Sequence, residues 1–386
     1  MRNFVEMLQK MDRCRQSLKL AGLQNSQEKV GFYTAAHDVS ALNNAVQIVR
    51  QLRQQGVQIV CICILDEFAH LTTVDVKDIK IVTVSQLNPH ILGISEMLMW
   101  NSYHIWPEAL YKHFEAKGLR TYMIEDSDNF NARRNEAWSH IMDFYDEYIL
   151  LNDDESRKTY LAVIRERMTG QLKDFYFAPE AQYMLAGYMP AAGDIVIDGG
   201  AYDGATSRDF ASLGARVYAF EMDAKNYNVC VESSGDDIVF ENMGLWSCRK
   251  QMHYESHGAG SGLKGTGTEI ASLVDIDTYV KEKKIPRVDY IKLDVEGAEL
   301  EVLRGASLTI SKFKPKLAIS AYHKPEDLYV LQKYIRSVRP DYQFDFRHYR
   351  IDGRDYYLDE GMRKVFLHYN LDLMVPTPWE YVLYAR

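Results

Sequence analysis

The sequence predicts an α/β fold with two doubly wound parts: a Rossmann-like C-terminal sheet and a smaller N-terminal Rossmann-like α/β domain. Short apolar runs alternate with amphipathic stretches of helical length, the pattern of parallel strands joined by crossover helices. This alternation occurs twice, over about residues 25–125 and again from about residue 190. At 386 residues the chain is also longer than a single core usually serves. The expected division is residues 1–130, a helical bridge over 131–185, and a second domain over 186–386.

The N-terminal stretch "MRNFVEMLQKMDRCRQSLKL" is compatible with helix. "EKVGFYTAAHD" reads as a strand, and "SALNNAVQIVRQLRQQG" as an amphipathic helix capped by Ser40 and stopped by Gly56. "VQIVCICIL" and "IKIVTV" read as buried strands, "WPEALYKHFEAKG" as a helix with Pro107 near its start, and "LRTYMI" as a further strand. No glycine-rich turn follows the first strand, where His37 and Asp38 stand instead. A Rossmann-like scaffold without the usual nucleotide is therefore expected here, with a surface turn at His37–Asp38. The helix "DESRKTYLAVIRERMTG" belongs to the bridge.

In the second part the strands are "DIVIDGG", "RVYAFEM", "DIVFEN", "VDYIKLD", "KLAISAY", "YQFDFRHY" and "EYVLYAR". Helices are expected over "SRDFASLG", near 223–233, over "GAELEVLRGA", and from Pro325; "HGAGSGLKGTG" reads as a loop.

Composition excludes several classes. The net charge of −9, without a basic block, argues against nucleic acid as the main partner. No run of about 18 apolar residues offers a membrane span, and no signal segment opens the chain, so a cytoplasmic protein is expected. The five cysteines, Cys14, Cys61, Cys63, Cys230 and Cys248, lack a CxxC pair and form neither a disulfide framework nor a zinc site. Cys61 and Cys63 lie on one face of a strand, as core thiols.

In "DIVIDGGAYDGATS" an apolar strand runs into Asp198-Gly199-Gly200, and Gly204 opens a helix. Glycines there let backbone amides approach a ligand. The spacing is not G-x-G-x-x-G, and a carboxylate ahead of the glycines repels a pyrophosphate but attracts a cationic amino-acid moiety such as that of S-adenosyl-L-methionine. Glu221 ends the next strand about 20 residues on, placed to take two ribose hydroxyls; Met222 follows it. Gly244 permits close approach, while Leu245 and Trp246 offer cover for an adenine.

In "IKLDVEGAELEVLRGA", Asp294 ends a strand at the sheet edge where ligands bind, next to Glu296 at the expected helix start and Gly297 in the turn. Lys292 lies two residues before Asp294 on the same side and needs a partner. Together with "VIDGGAYDGATS", "AFEMD", "LVDIDTYV" and "PKLAISAYHKPEDL", this block resembles the FkbM-type S-adenosylmethionine-dependent methyltransferases over about residues 145–386. The resemblance implies a seven-stranded methyltransferase sheet whose last two strands form a reversed hairpin, and methyl transfer to a hydroxyl of a sugar or natural product. By that resemblance "PEAQYML" precedes the first strand, so Gln182 and Tyr183 close over the cofactor with Asp198, Gly199, Gly200, Ala201, Gly204, Ser207 and Asp294. Tyr202 stands where the pattern has a further glycine.

Removal of the acceptor's proton needs a base. His323 ranks first, Asp294 second, with Glu296 and Lys292 in the same catalytic group. Asp294, Glu296 and His323 form too thin a set to expect a metal. The acceptor expected is a small molecule or glycan of surface polysaccharide or glycolipid synthesis, and the chain a possible homodimer. A nucleotide-dependent oxidoreductase and a non-catalytic assembly protein with a vestigial pocket are the competing readings.

Overall fold

The computed structural model describes residues 4–6, 23, 26–100, 108–123, 134–169, 175–232, 235–254, 267, 269–352, 374–375 and 379–386. The chain divides into two compact units: Met1–Ile141 with Leu161–Phe177 and Arg350–Pro378, and Met142–Tyr160 with Ala178–Tyr349 and Trp379–Arg386.

The first unit holds a five-stranded sheet in the order β3-β2-β1-β4-β5. Its strands, β1 (Lys29–Thr34), β2 (Gln58–Ile64), β3 (Lys80–Thr83), β4 (Ile94–Trp100) and β5 (Arg120–Met123), are all parallel. The buried runs of β1 and β2 pack under α1 (Val39–Gln54), whose apolar residues Leu42, Ala45, Val46, Val49 and Leu52 share one face. The cap of α1 differs from expectation. Asp38 takes it two residues before Ser40, its extended backbone letting the carboxylate accept from Ala41 N at 2.7 Å. Strand β4 was not anticipated, because fully buried Glu96 interrupts its apolar pattern; Arg120 of the neighbouring β5 supplies the counter-charge. Cys61 and Cys63 are buried, and burial pushes the Cys61 thiol up to about 11. Of the expected N-terminal helix only residues 4–6 are described, and they are helical; Pro107 and Gly170 lie outside the described residues.

In the second unit the sheet has seven strands in the order β14-β17-β13-β12-β6-β7-β8. These are β6 (Ile195–Gly199), β7 (Arg216–Phe220), β8 (Ile238–Glu241), β12 (Tyr290–Leu293), β13 (Lys316–Ser320), β14 (Phe344–His348) and β17 (Tyr381–Ala385). Only β17 runs against its neighbours, β13 and β14. The reversed pair of last strands is present, but residues 349–380 connect it in place of a tight hairpin. Residues 353–373 lie outside the described residues, as does most of the loop "HGAGSGLKGTG". The strands flanking that loop, β10 (Lys250–Tyr254) and β11 (Glu269–Val274), pair antiparallel, and β9 (Gly244–Leu245) joins β11. Strand order reverses at β6, so the carboxyl ends of β6 and β12 open on the crevice where doubly wound sheets bind ligands.

Candidate active site

The glycine turn after β6 has no room for other residues at its centre. Gly200 sits at φ +77°, and a Cβ there would lie 1.8 Å from the Asp294 carbonyl oxygen. Its N–H and that of Ala201 both donate to Phe220 O at 3.0 Å, folding the turn over the end of β7. At Gly199 a Cβ would come within 2.9 Å of Leu245 and Leu293, so that glycine lets β9 approach. Tyr202 adopts φ +53°, a left-handed conformation that glycine takes more readily. Gly204, at φ +80°, leads into α2 (Ala205–Ser212).

Asp198 and Ser207 were expected among the cofactor contacts, but both are fully buried. Ser207 Oγ donates to Asp198 Oδ2, and Lys292 Nζ lies 3.0 Å from Asp198 Oδ1. Lys292 also donates to Gly200 O at 2.6 Å and to Gly199 O at 3.3 Å. Its ammonium is thus engaged inside the turn. Burial would lower the Lys292 ammonium, but Asp198 and then Asp294 hold it above its ordinary value.

Glu221 is placed as expected at the end of β7. Its carboxylate accepts from Tyr202 N and Asp223 N, each at 2.8 Å, tying the turn to the second strand. Burial pushes it up to about 7 against those two N–H donors. Gly244 packs against Leu273 and Met222. Trp246 and Met222 pack on a small cluster of Tyr254, Ala271 and Leu273, with Lys250 Nζ 4.2 Å above the Trp246 ring.

At the end of β12 the chain makes a left-handed pair, Glu296 at φ +52° and Gly297 at φ +89°. The helix starts later than the sequence suggested, at Glu299 (α3, Glu299–Arg304), so Glu296 lies in the turn and Glu299 takes the helix start. Glu299 is fully buried. Its Oε1 accepts from Val295 N at 3.0 Å and Gly297 N at 3.4 Å, and lies 2.8 Å from His323 Nδ1. His323, at the end of β13, puts Nε2 3.5 Å from Asp294 Oδ1 and 3.7 Å from Glu296 Oε2. Asp294 also receives the hydroxyls of Tyr183 at 2.8 Å and Tyr322 at 3.1 Å.

Burial and neighbouring charge pull the ionisable groups of the cluster in different directions. Burial would depress the His323 imidazole, but Glu299, then Asp294 and Glu296, override it and hold the ring at about 10, protonated at neutral pH. A ring protonated on both nitrogens takes up no further proton. Burial would raise Asp294, yet His323 and Lys292 keep it below its ordinary value. Glu296 is pushed up by burial to about 7. Among the described residues no hydrogen bond reaches its carboxylate, whose side chain is 34% exposed.

Tyr183 is buried at φ +66°, and its hydroxyl also lies 3.0 Å from Ser320 Oγ. Gln182 donates to Glu380 Oε2 at 2.8 Å. Glu299, Glu380 and Ser320 were missed as site residues. A second glutamate just after "DVEG", in the position of a helix-start acid, was the one local signal available, and it pointed to Glu299.

A doubly wound sheet with this turn at its switch point, an acid on the second strand and a carboxylate cluster beyond the fourth has the Rossmann-like fold seen in methyltransferases. Residues 198–350 match the family model described as the Methyltransferase FkbM domain. The methyltransferase FkbM of Methylobacillus flagellatus KT superposes with a TM-score of 0.64 at 18% identity, covering 99% of each chain. At that identity the likeness is one of fold. Precorrin 8w decarboxylase of Methanobacterium thermoautotrophicum matches with a TM-score of 0.30 at 16% identity, over 51% of this chain and 83% of its own. An rRNA methylase of Streptococcus thermophilus matches with 0.31 at 12%, over 51% and 89%. Neither of these two bears on function. No curated protein sequence matches the chain.

Proposed function

We propose that the protein transfers the methyl group of S-adenosyl-L-methionine to a hydroxyl oxygen of a saccharide or related natural-product acceptor. The observation that carries this reading is the junction of the two turns, where Gly200 packs directly on the Asp294 backbone. That contact brings a cofactor-sized glycine turn and the carboxylates of Asp294 and Glu296 to one sheet edge.

The turn around Gly199, Gly200, Ala201 and Gly204 receives the amino-acid end of the cofactor, and Lys292, Asp198 and Ser207 brace it from behind. Glu221 takes the ribose hydroxyls, with Met222, Gly244, Leu245 and Trp246 on the adenine side. Gln182 and Tyr183 close the site. When bound, the cofactor would supply an electrophilic methyl group, its carbon–sulfur bond breaking toward sulfur as the acceptor oxygen bonds the carbon, leaving S-adenosylhomocysteine. The hydroxyl proton passes to Glu296, the cluster carboxylate that is exposed and accepts no hydrogen bond among the described residues. Tyr183 and Tyr322 orient Asp294 toward the acceptor. A polyol suits a mouth of carboxylates, tyrosine hydroxyls and imidazole, which favours precursors of surface polysaccharide or glycolipid.

The test is calorimetric titration of the full chain with S-adenosylhomocysteine in chelator, with NAD⁺ as control, followed by a glycan acceptor screen. Saturable binding of the first alone is expected; binding of NAD⁺ alone would replace this reading by the oxidoreductase one.

A further inference from the structure

His323 has one nitrogen committed and one free. Nδ1 is tied to Glu299, whose Oε1 is itself anchored by the backbone N–H groups of Val295 and Gly297. Nε2 is buried in a side chain only 9% exposed, and among the described residues it has no hydrogen-bond partner. Glu299 Oε2 is likewise buried and unpartnered. Asp294, Glu299 and His323 each bring a donor atom within 4.8 Å of the others, and Glu296 stands at the rim.

We propose that this cluster is a divalent-cation site, with Asp294, Glu299 and His323 as the protein's ligands. Two carboxylates and an imidazole suit Mn²⁺ or Mg²⁺, with Mn²⁺ preferred for the nitrogen donor. Three protein ligands leave coordination positions open. Where the methyltransferase reading holds, and this clause rests on it, the open positions face the acceptor side of Asp294 and select acceptors with two adjacent oxygen donors, such as vicinal diols.

The full chain, freed of metal by chelator, is titrated with MnCl₂ while the spin-resonance signal of free Mn²⁺ is followed. One saturable site per chain is expected, with echo modulation from a directly bonded imidazole nitrogen. His323→Gln and Glu299→Gln should each weaken binding at least tenfold, their melting curves reporting whether the fold persists. No saturable binding, or bound Mn²⁺ without nitrogen modulation, overturns the site even if both variants fail to fold. S-Adenosylhomocysteine binding in chelator is read separately, so loss of the cofactor reading and loss of the metal site give different results.

Discussion

Lys292 Nζ lies 3.0 Å from Asp198 Oδ1, with both side chains almost wholly excluded from solvent at 3% and 0% exposure. The pair joins neighbouring strands, β12 and β6, at the foot of the glycine turn. Removing one partner leaves a buried charge without compensation, a loss of about 3–5 kcal/mol. Lys292→Met is therefore expected to lose that much in urea unfolding, and the double variant Lys292→Met/Asp198→Asn to recover part of it. A loss below about 1 kcal/mol for the single variant would show that the turn does not depend on the pair.

Gly200→Ala is expected to cost about 2–4 kcal/mol or to prevent folding, because its Cβ meets the Asp294 backbone at a positive φ. A melting temperature equal to that of the native chain would mean the two turns separate easily.

Asp294→Asn should retain S-adenosylhomocysteine affinity within about threefold while methyl transfer falls about 100-fold or more. The substitution keeps the size of the side chain but removes the charge facing the acceptor. Equal losses in binding and turnover would place Asp294 with the cofactor instead.

Cofactor affinity should depend on pH through Glu221. Burial holds this carboxyl at about 7, and ribose hydroxyls donate to the carboxylate form, so binding lowers its pKa. Affinity for S-adenosylhomocysteine should rise by up to about tenfold from pH 6 to pH 8 and then level off. Glu221→Gln should flatten the profile; an unchanged slope in that variant would assign the proton elsewhere.

Acid stability should show the Asp153–Arg347 pair. Burial would raise Asp153, but hydrogen bonds from Arg347 and Ser156 bring it from 3.8 to about 2. Its folded pKa is the lower one, so the stabilisation is present above pH about 4 and is lost as pH falls from there toward 2. Asp153 is 39% exposed, and with solvent screening the contribution is about 1 kcal/mol. Acid unfolding of Asp153→Asn should begin at higher pH than that of the native chain; coincident curves would remove the pair from the account.

What was legible in the sequence was local. The glycine turn, the acid ending the second strand and the Asp-Val-Glu-Gly block each declare themselves within a few residues, because strand, turn and helix start impose residue types at fixed offsets. Strand β4 was not legible, since Glu96 breaks the apolar pattern and its partner Arg120 belongs to another strand. The start of α3 was misplaced by three residues because Glu296 and Glu299 are equally good helix-start acids on paper, and only the left-handed backbone at Glu296 separates them.

The sequence by itself determined that this chain has two doubly wound sheets and that Asp198, Glu221 and Asp294 end strands of the second. Periodicity and turn chemistry are properties of neighbours along the chain. Tertiary structure decided what each acid is held by. Strand order set Lys292 against Asp198 and folded Glu299 behind His323, so that one carboxylate is consumed in holding the turn and another in holding the imidazole. Charge and protonation follow distance in space, and those distances exist only once the strands have been placed side by side.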